Sequence, residues 1–479
     1  MNNLVWFRND LRVFDNPALS QSMASGPTIA IYCLCEKQWQ RHGLAGLQQR
    51  LIKEHLYVLE MQLARLNVPM IILDCGDFEH LPKLLVNKAK QLNVSKLFYN
   101  HQYEVNEGSC TEKVVKLFTS ELGVAQGYHD QCIIAPGQIL NGDGKNYKVF
   151  SAFCKNWSKN LPSLARPLFA IPQSQDPLLI QSDMKALTGF LSGFDPIDGQ
   201  LDHWPLGEDT AHDRLNDFIE HDVSDYHRNR DFPDLDKTSH LSAYLAIGVL
   251  TARQCLQALI NKAQPDPNLF YSLLAEGERC WLNELAWRDF YRHILAAYPR
   301  VCKGRPFKLD TDKLPWQTNE DLYKAWCQGK TGVPIVDAAM RQLNATGWMH
   351  NRLRMIVAMF LTKHLMIDWR LGEAYFYSRL ADADFASNNG GWQWSASTGV
   401  DAVPYFRIFN PYRQSERFDS QGAFVRKYIK ELAHVEDRMI HQPSKEIALE
   451  SGYPLPIVDL KLAAEKTKSL FKSLATVKG

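Results

Sequence analysis

Charge imbalance is what this 479-residue sequence has least of, with 54 Lys and Arg against 53 Asp and Glu and a formal net charge of +1. A uniformly basic coat that gathers nucleic acid indiscriminately is thereby excluded, although a sum hides its distribution. Long apolar runs are also missing: no stretch reaches about 18 apolar residues. The N-terminus opens on Leu4-Val5-Trp6-Phe7-Arg8, without a basic and then apolar leader. Membrane spanning and secretion are therefore not expected. The 10 cysteines are scattered, and only Cys33 and Cys35 lie close together. That excludes CxxC and Cys/His zinc spacings and argues against a disulfide framework. No metal is expected, and reduced, mostly buried thiols point to a cytoplasmic protein. Phosphate-binding glycine patterns fail too. Gly142 and Gly144 lack a third glycine and a following helix, and Gly329-Lys330-Thr331 has Lys324 where a P-loop needs its first glycine. HExxH and GxSxG are absent.

What is present is an ordinary globular composition, 45% hydrophobic and 22% charged, in a chain long enough for two or three domains. Short apolar runs at 4–7, 28–34, 70–73 and 96–99 have strand length and are rich in Val, Ile and aromatics. Helical periods separate them; one follows Asp77, a candidate N-cap, with Leu81, Leu84, Leu85, Ala89 and Leu92 on one face. The alternation predicts an α/β domain over 1–130, a doubly wound Rossmann-like parallel sheet. Over 131–205 Pro and Gly recur, at Pro162, Pro167, Pro172, Pro177, Gly193 and Pro196, which reads as a connector wrapped on the surface. From 206 to 470 helical periods take over, for example at Ile335, Val336, Ala339, Met340 and Leu343, then Leu353, Ile356, Val357, Phe360, Leu361 and Leu365. A large all-α domain is expected there.

Three segments of that domain concentrate polar and aromatic groups. Trp281, Glu284, Arg288 and Tyr291 recur at three and four residues with Trp287 beside them, so one helix face carries a carboxylate, a guanidinium and indoles. Taken alone, this also fits an amphipathic helix with a Glu284–Arg288 pair. Gly347-Trp348-Met349-His350-Asn351-Arg352-Leu353-Arg354 opens a second helix with a polar start and apolar later turns, which fits a ligand-facing end or a solvated one. The third, Asp382-Ala383-Asp384-Phe385-Ala386-Ser387-Asn388-Asn389-Gly390-Gly391-Trp392-Gln393-Trp394, combines carboxylates, amides, a Gly-Gly turn and indoles, a mixture that a mere loop rarely has. Its carboxylates and amides can bond the edge of a heteroaromatic ring, its glycines allow close approach, and Trp can stack on bases or carry an electron.

With these segments, Val5-Trp6-Phe7-Arg8-Asn9-Asp10-Leu11-Arg12 and Thr238-Ser239-His240-Leu241-Ser242, the sequence resembles the DNA photolyase/cryptochrome family over nearly its whole length. It is most similar to the bacterial class I cyclobutane pyrimidine dimer photolyases with a folate antenna. The resemblance implies a light-driven lyase in which the helical domain binds FAD, reduced and anionic when active. Tyr226, Thr238, Ser239, Leu241 and Ser242 would hold the FAD phosphates, with His240 where many relatives have Arg. Trp281, Arg288, Asn351, Arg354, Asp382 and Asp384 would contact the rest, and Asn388 would meet flavin N5. Trp392, Trp369 and Trp316 would carry electrons in from the surface. Glu284 would bond the damaged thymines, Trp287 and Trp394 would flank the flipped-out dimer, and Asn351 and Met355 would line its pocket. Met355 stands where (6-4) photolyases would carry a catalytic histidine, and its thioether cannot donate that proton. Arg230, Arg352, Arg407 and Gln414 would contact the DNA backbone. Asn106, Glu107, Lys303 and His42 would hold 5,10-methenyltetrahydrofolate; a deazaflavin or no antenna are the alternatives. The expected partner is UV-damaged DNA, single- or double-stranded, bound by a monomer. A blue-light signalling cryptochrome without repair activity is the other reading. Within 288–417 lie about 18 Lys and Arg against about 12 Asp and Glu, so the near-neutral total conceals a modestly basic region.

Overall fold

The computed structural model describes residues 1–188, 200–263 and 270–476; Gly193 and Pro196 of the connector lie outside them. The chain divides into two compact units, Met1–Ser224 with Ser239–Pro299 and Ala381–Ala383, and Asp225–Thr238 with Arg300–Leu380 and Asp384–Gly479.

The first unit is built on five parallel strands, β1 (Asn2–Phe7), β2 (Thr28–Leu34), β3 (Met70–Asp74), β4 (Val94–Asn100) and β5 (Val124–Tyr128), in the order β3-β2-β1-β4-β5. Every residue of β2 is buried, which is why its code is a continuous apolar run instead of an alternation. Leu4, Ile29, Ile31 and Leu97 pack with Leu85, Val114 and Phe118 of the covering helices. The fifth strand, Val-Ala-Gln-Gly-Tyr, escapes sequence reading because it is a half-exposed edge with little apolar content. Asp77 caps a turn that precedes the predicted helix, accepting from the Glu79 and His80 N–H groups, and the helix itself is Leu81–Gln91.

The unit continues into the helical half of the chain. Arg12, fully buried, pairs with Asp130 at 2.7 Å, and Arg253 pairs with Asp130 at 2.6 Å and Asp15 at 2.7 Å. Burial pushes the Asp130 carboxyl up, but Arg12 and Arg253 hold it down at about 2. Removing one member of such a cluster costs about 3–5 kcal/mol, because the others stay buried and uncompensated. Gly248 closes the same junction: a Cβ there would stand 2.0 Å from the Asn9 carbonyl oxygen.

Part of the segment read as a connector is a helix. Phe150–Leu164 buries Phe153, Trp157 and Leu161, and Pro162 sits inside its last turn. The density of Pro and Gly around it hides a period of four in the apolar residues. The helix docks on Glu276–Ala297, the longest in the chain among the described residues, through the Trp157 indole N–H, which donates to Asp289 at 3.0 Å.

The second unit is helical. Pro334–Thr346 forms as its apolar period predicts, whereas the period from Leu353 to Leu365 is not one helix: Asn351–Met359 gives way to a π-helical turn, Phe360–His364. The 382–394 segment is likewise corrected. Asp384 caps a helix, Phe385–Ser395, by accepting from the Ser387 N–H at 2.8 Å, and Gly390 and Gly391 lie inside it instead of forming a turn. All ten cysteines are unpaired and seven are buried. Among the described residues no helix is long and apolar enough to cross a membrane.

Candidate functional site

Three helices carry the residues singled out above, and each divides lengthwise into a buried face and a half-exposed stripe. On Glu276–Ala297, in the first unit, Glu284, Trp287, Arg288 and Tyr291 are half-exposed while Leu282, Leu285, Ala286 and Asp289 are buried. The spacing 0, 3, 4 and 7 is one side of an α-helix. Trp287 is held on this stripe by aromatic neighbours: Phe150 lies flat against it, centroids 3.6 Å apart and planes within 7°, and Tyr291 and Phe290 follow at 5.5 and 5.7 Å. Arg288 donates to the carbonyls of Gln131 and Leu245, which orients its guanidinium. Trp281 lies off the stripe, 4% exposed, against Phe218 at 5.2 Å. Ser239, Leu241 and Ser242 lead into Ser242–Ile247, whose six residues provide little dipole, so hydroxyls and backbone N–H groups must carry any phosphate contact. His240 has φ 48°. Asp382 is buried in the same unit, next to Ala383, whose carbonyl accepts from Gln48.

In the second unit, Phe385–Ser395 buries Ala386, Asn389, Trp392 and Gln393 and leaves Asp384, Ser387, Asn388, Gly391 and Trp394 half-exposed. A Cβ added to Gly391 would meet nothing within 4 Å, so this face opens on space instead of packing. An open helix face bearing a carboxylate, an amide, a glycine and an indole fits a flat heteroaromatic ligand. Asn388 donates its amide N–H to the Glu373 carbonyl oxygen at 3.0 Å. A carbonyl can only accept, so the orientation is fixed and Asn388 Oδ1 is the end left as an acceptor. The packed helix Asn351–Met359 shows the same division, with Asn351 exposed, Arg354 and Met355 half-exposed, and Leu353, Ile356 and Val357 buried. Arg354 donates to the Met349 carbonyl at 2.8 Å.

Glu373 was not found from sequence. Its Oε1 accepts from Asn389 at 2.7 Å; Asn389 accepts from Gln393 at 2.8 Å, and Gln393 accepts from the Phe307 N–H at 2.7 Å. Burial pushes the Glu373 carboxyl up to about 7, although Asn389 and Arg370 act to lower it. A single Glu within Leu371-Gly372-Glu373-Ala374 offers no pattern to detect.

Trp392 and Trp369 are 2% and 1% exposed, and Trp316 is half-exposed. They sit on neighbouring segments: a Cβ on Gly372 would reach the Trp392 ring, and Gln317 next to Trp316 bridges to Ile367 shortly before Trp369. Trp326, overlooked in the sequence, is fully buried with its ring 6.0 Å from Trp392. Arg230 and Arg352 converge on Asp231, at 3.8 and 2.7 Å, and Arg230 also lies over the ring of Tyr226. Arg407 is exposed before the helix Pro411–Phe418 and Gln414 is half-exposed on it; Thr238 is half-exposed.

The antenna candidates of the first unit do meet. His42 Nε2 accepts from Asn106 at 3.0 Å and from Gln38 at 2.7 Å, while His42 Nδ1 lies 3.5 Å from Glu107. Burial pulls the His42 imidazolium down against the pull of Glu104, and burial raises the Glu107 carboxyl. Lys303 is an exposed residue of the second unit.

Residues 3–173 match the DNA photolyase family, and residues 281–473 match the FAD binding domain of DNA photolyase. The chain is 43% identical to the deoxyribodipyrimidine photo-lyase of Vibrio cholerae, over 98% of this chain and 99% of that one. It is 42% identical to that of Escherichia coli, over 98% of each. A class III photolyase of Agrobacterium tumefaciens superposes with a TM-score of 0.85 at 31% identity, covering 99% of this chain and 98% of that one. A Synechocystis cryptochrome gives 0.84 at 29%, covering 98% and 99%. The chain belongs to the DNA photolyase family.

Proposed function

We propose that the protein repairs cyclobutane pyrimidine dimers in DNA by light-driven electron transfer, as a cytoplasmic monomer that binds the dimer flipped out of the strand. The observation that carries this reading is the division of Phe385–Ser395: a face open to a ligand bears Asp384, Asn388 and Trp394, and the packed side buries Trp392 one turn past Asn388. Reduced FAD, when bound, supplies a light-excited one-electron donor. Asp384, Asn351 and Arg354 bind and orient it beside Asn388, whose Oδ1 accepts a flavin N–H without adding a second negative charge. Tyr226, Thr238, Ser239, Leu241, Ser242, Trp281, Arg288 and Asp382 would hold its remaining groups, and Trp392, Trp369 and Trp316 would pass electrons from an external reductant toward it.

Glu284 hydrogen-bonds the thymine pair and steadies the negative charge it receives, while Trp287, Trp394 and Met355 exclude water around it. Base stacking of this kind contributes about 1–3 kcal/mol per base, which offsets much of the cost of unstacking a lesion. Arg230, Arg352, Arg407 and Gln414 fix register on the backbone without reading sequence. Methenyltetrahydrofolate, held by His42, Asn106, Glu107 and Lys303, supplies light capture. Purified protein loaded with reduced FAD restores thymine-dimer DNA under blue light and not in the dark. A loaded, folded sample that binds no lesion and repairs none under light refutes the reading and leaves signalling in its place.

A further inference from the structure

The helix Phe150–Leu164 touches the site above through Phe150, which lies flat on Trp287. The rest of its inner face is also committed to Glu276–Ala297. Phe153 packs on Phe290 at 5.2 Å, Trp157 donates to Asp289, and the Cys154 thiol donates to Asn283 at 3.4 Å. What remains outward is cationic. Residues 144–175 carry Lys145, Lys148, Lys155, Lys159 and Arg166 and no Asp or Glu. Arg166 is engaged by Asp15 and Asp130, each at 3.5 Å. The four lysines are exposed, and among the described residues none of them forms an ion pair. Lys155 and Lys159, one turn apart, edge a groove of about 560 Å³ that Ser158, Tyr271, Ser272 and Asn283 also line, and among the described residues no carboxylate lines it.

We propose that this lysine-edged groove is a docking surface for the sugar-phosphate backbone of DNA alongside the lesion, with Lys155 and Lys159 contacting phosphates and Phe150 tying their position to Trp287. The proposal rests on the repair reading and deepens it. Flexible lysines suit phosphates at any sequence, and hydroxyl and amide groups between them can bond phosphate and sugar oxygens. A lipid surface is a poor match: the exposed residues of the helix are Ser151, Ala152, Lys155, Lys159, Pro162 and Ser163, with no large apolar side chain to insert.

The test compares wild type with Lys155→Gln/Lys159→Gln, both FAD-loaded, by fluorescence anisotropy on three probes. These are a dimer-containing duplex of about two helical turns, the same duplex undamaged, and a short single strand just spanning the dimer. Between about 50 and 200 mM salt, each phosphate left without its lysine lowers the slope of log K against log salt by about 0.9. We expect the slope for both duplexes to fall by about 1.8, so that the variant's affinity deficit at the lower salt exceeds its deficit at the higher salt by about tenfold, with the short strand bound as by wild type. An unchanged slope on the duplexes overturns the proposal, and so does an equal loss on the short strand, which would assign the lysines to the lesion pocket. Wild-type protein that fails to prefer the dimer sinks the repair reading instead, and the undamaged duplex then still decides the docking surface.

Discussion

Glu276–Ala297 and Phe385–Ser395 are both helices with a half-exposed stripe, but the stripes are made differently. The first is large and already propped: Phe150 covers one face of Trp287, and backbone carbonyls hold Arg288. The second is small and open, with Gly391 in the middle and nothing within 4 Å of where its side chain would be. A propped aromatic wall suits a partner that arrives and leaves, since little side-chain freedom is lost at each binding event. An open glycine face suits a resident flat cofactor that completes the packing itself. On the proposed reading, Glu284 and Trp287 of the first stripe would meet the lesion and Asp384 and Asn388 of the second would meet FAD, while Arg288 and Trp394 would each serve the other ligand.

Filling the open stripe is the strongest way to break that contrast. Gly391→Leu removes a helix-interior glycine, which costs about 1 kcal/mol relative to a good helix former, so the protein stays folded. FAD affinity, read by titrating the apoprotein and following the visible absorbance, falls about 5- to 150-fold, as expected when a side chain overfills a ligand's space by about 1–3 kcal/mol. Wild-type affinity would show that the open face is not the cofactor face. A smaller effect comes from the prop. Phe150→Leu removes a stacked aromatic pair worth about 0.5–1.5 kcal/mol, so dimer affinity weakens about 2- to 10-fold with FAD content unchanged. Unaltered affinity in a titration of dimer-containing strand would mean that Trp287 needs no backing.

The smallest effect concerns Glu373, which fixes Asn388 through its backbone oxygen and Asn389 through its carboxyl. Its folded-state value, about 7, lies above the ordinary 4.5. The folded protein therefore keeps this proton while the unfolded chain releases it, so the contribution to stability is full below about pH 4.5 and is lost as pH rises toward 7. Glu373→Gln stays neutral and flattens that part of the Tm-against-pH curve. A curve of wild-type shape for the variant would show that another group titrates.

Local pattern accounts for what was legible. Strands β1 to β4 announce themselves because burial on both faces demands unbroken apolar runs, and β5 does not because an edge strand is under no such demand. The stripe on Glu276–Ala297 follows from spacing alone. Phe385–Ser395 does not, since two adjacent glycines signal a turn unless Asp384 is seen to cap and Trp392 to anchor. Trp316, Trp369 and Trp392 share no sequence period because three separate segments carry them, and Phe150 meets Trp287 across more than a hundred residues. Family resemblance supplied roles for the indoles; only the fold shows Phe150, Glu373 and Trp326.

The division of labour between the two helices is tested most directly by measuring FAD content and dimer affinity on one preparation of Trp287→Ala. Wild-type FAD content with dimer binding weaker by about 1–3 kcal/mol, roughly 5- to 150-fold, is the predicted result. Loss of FAD together with the lesion, or dimer affinity equal to wild type, would contradict it.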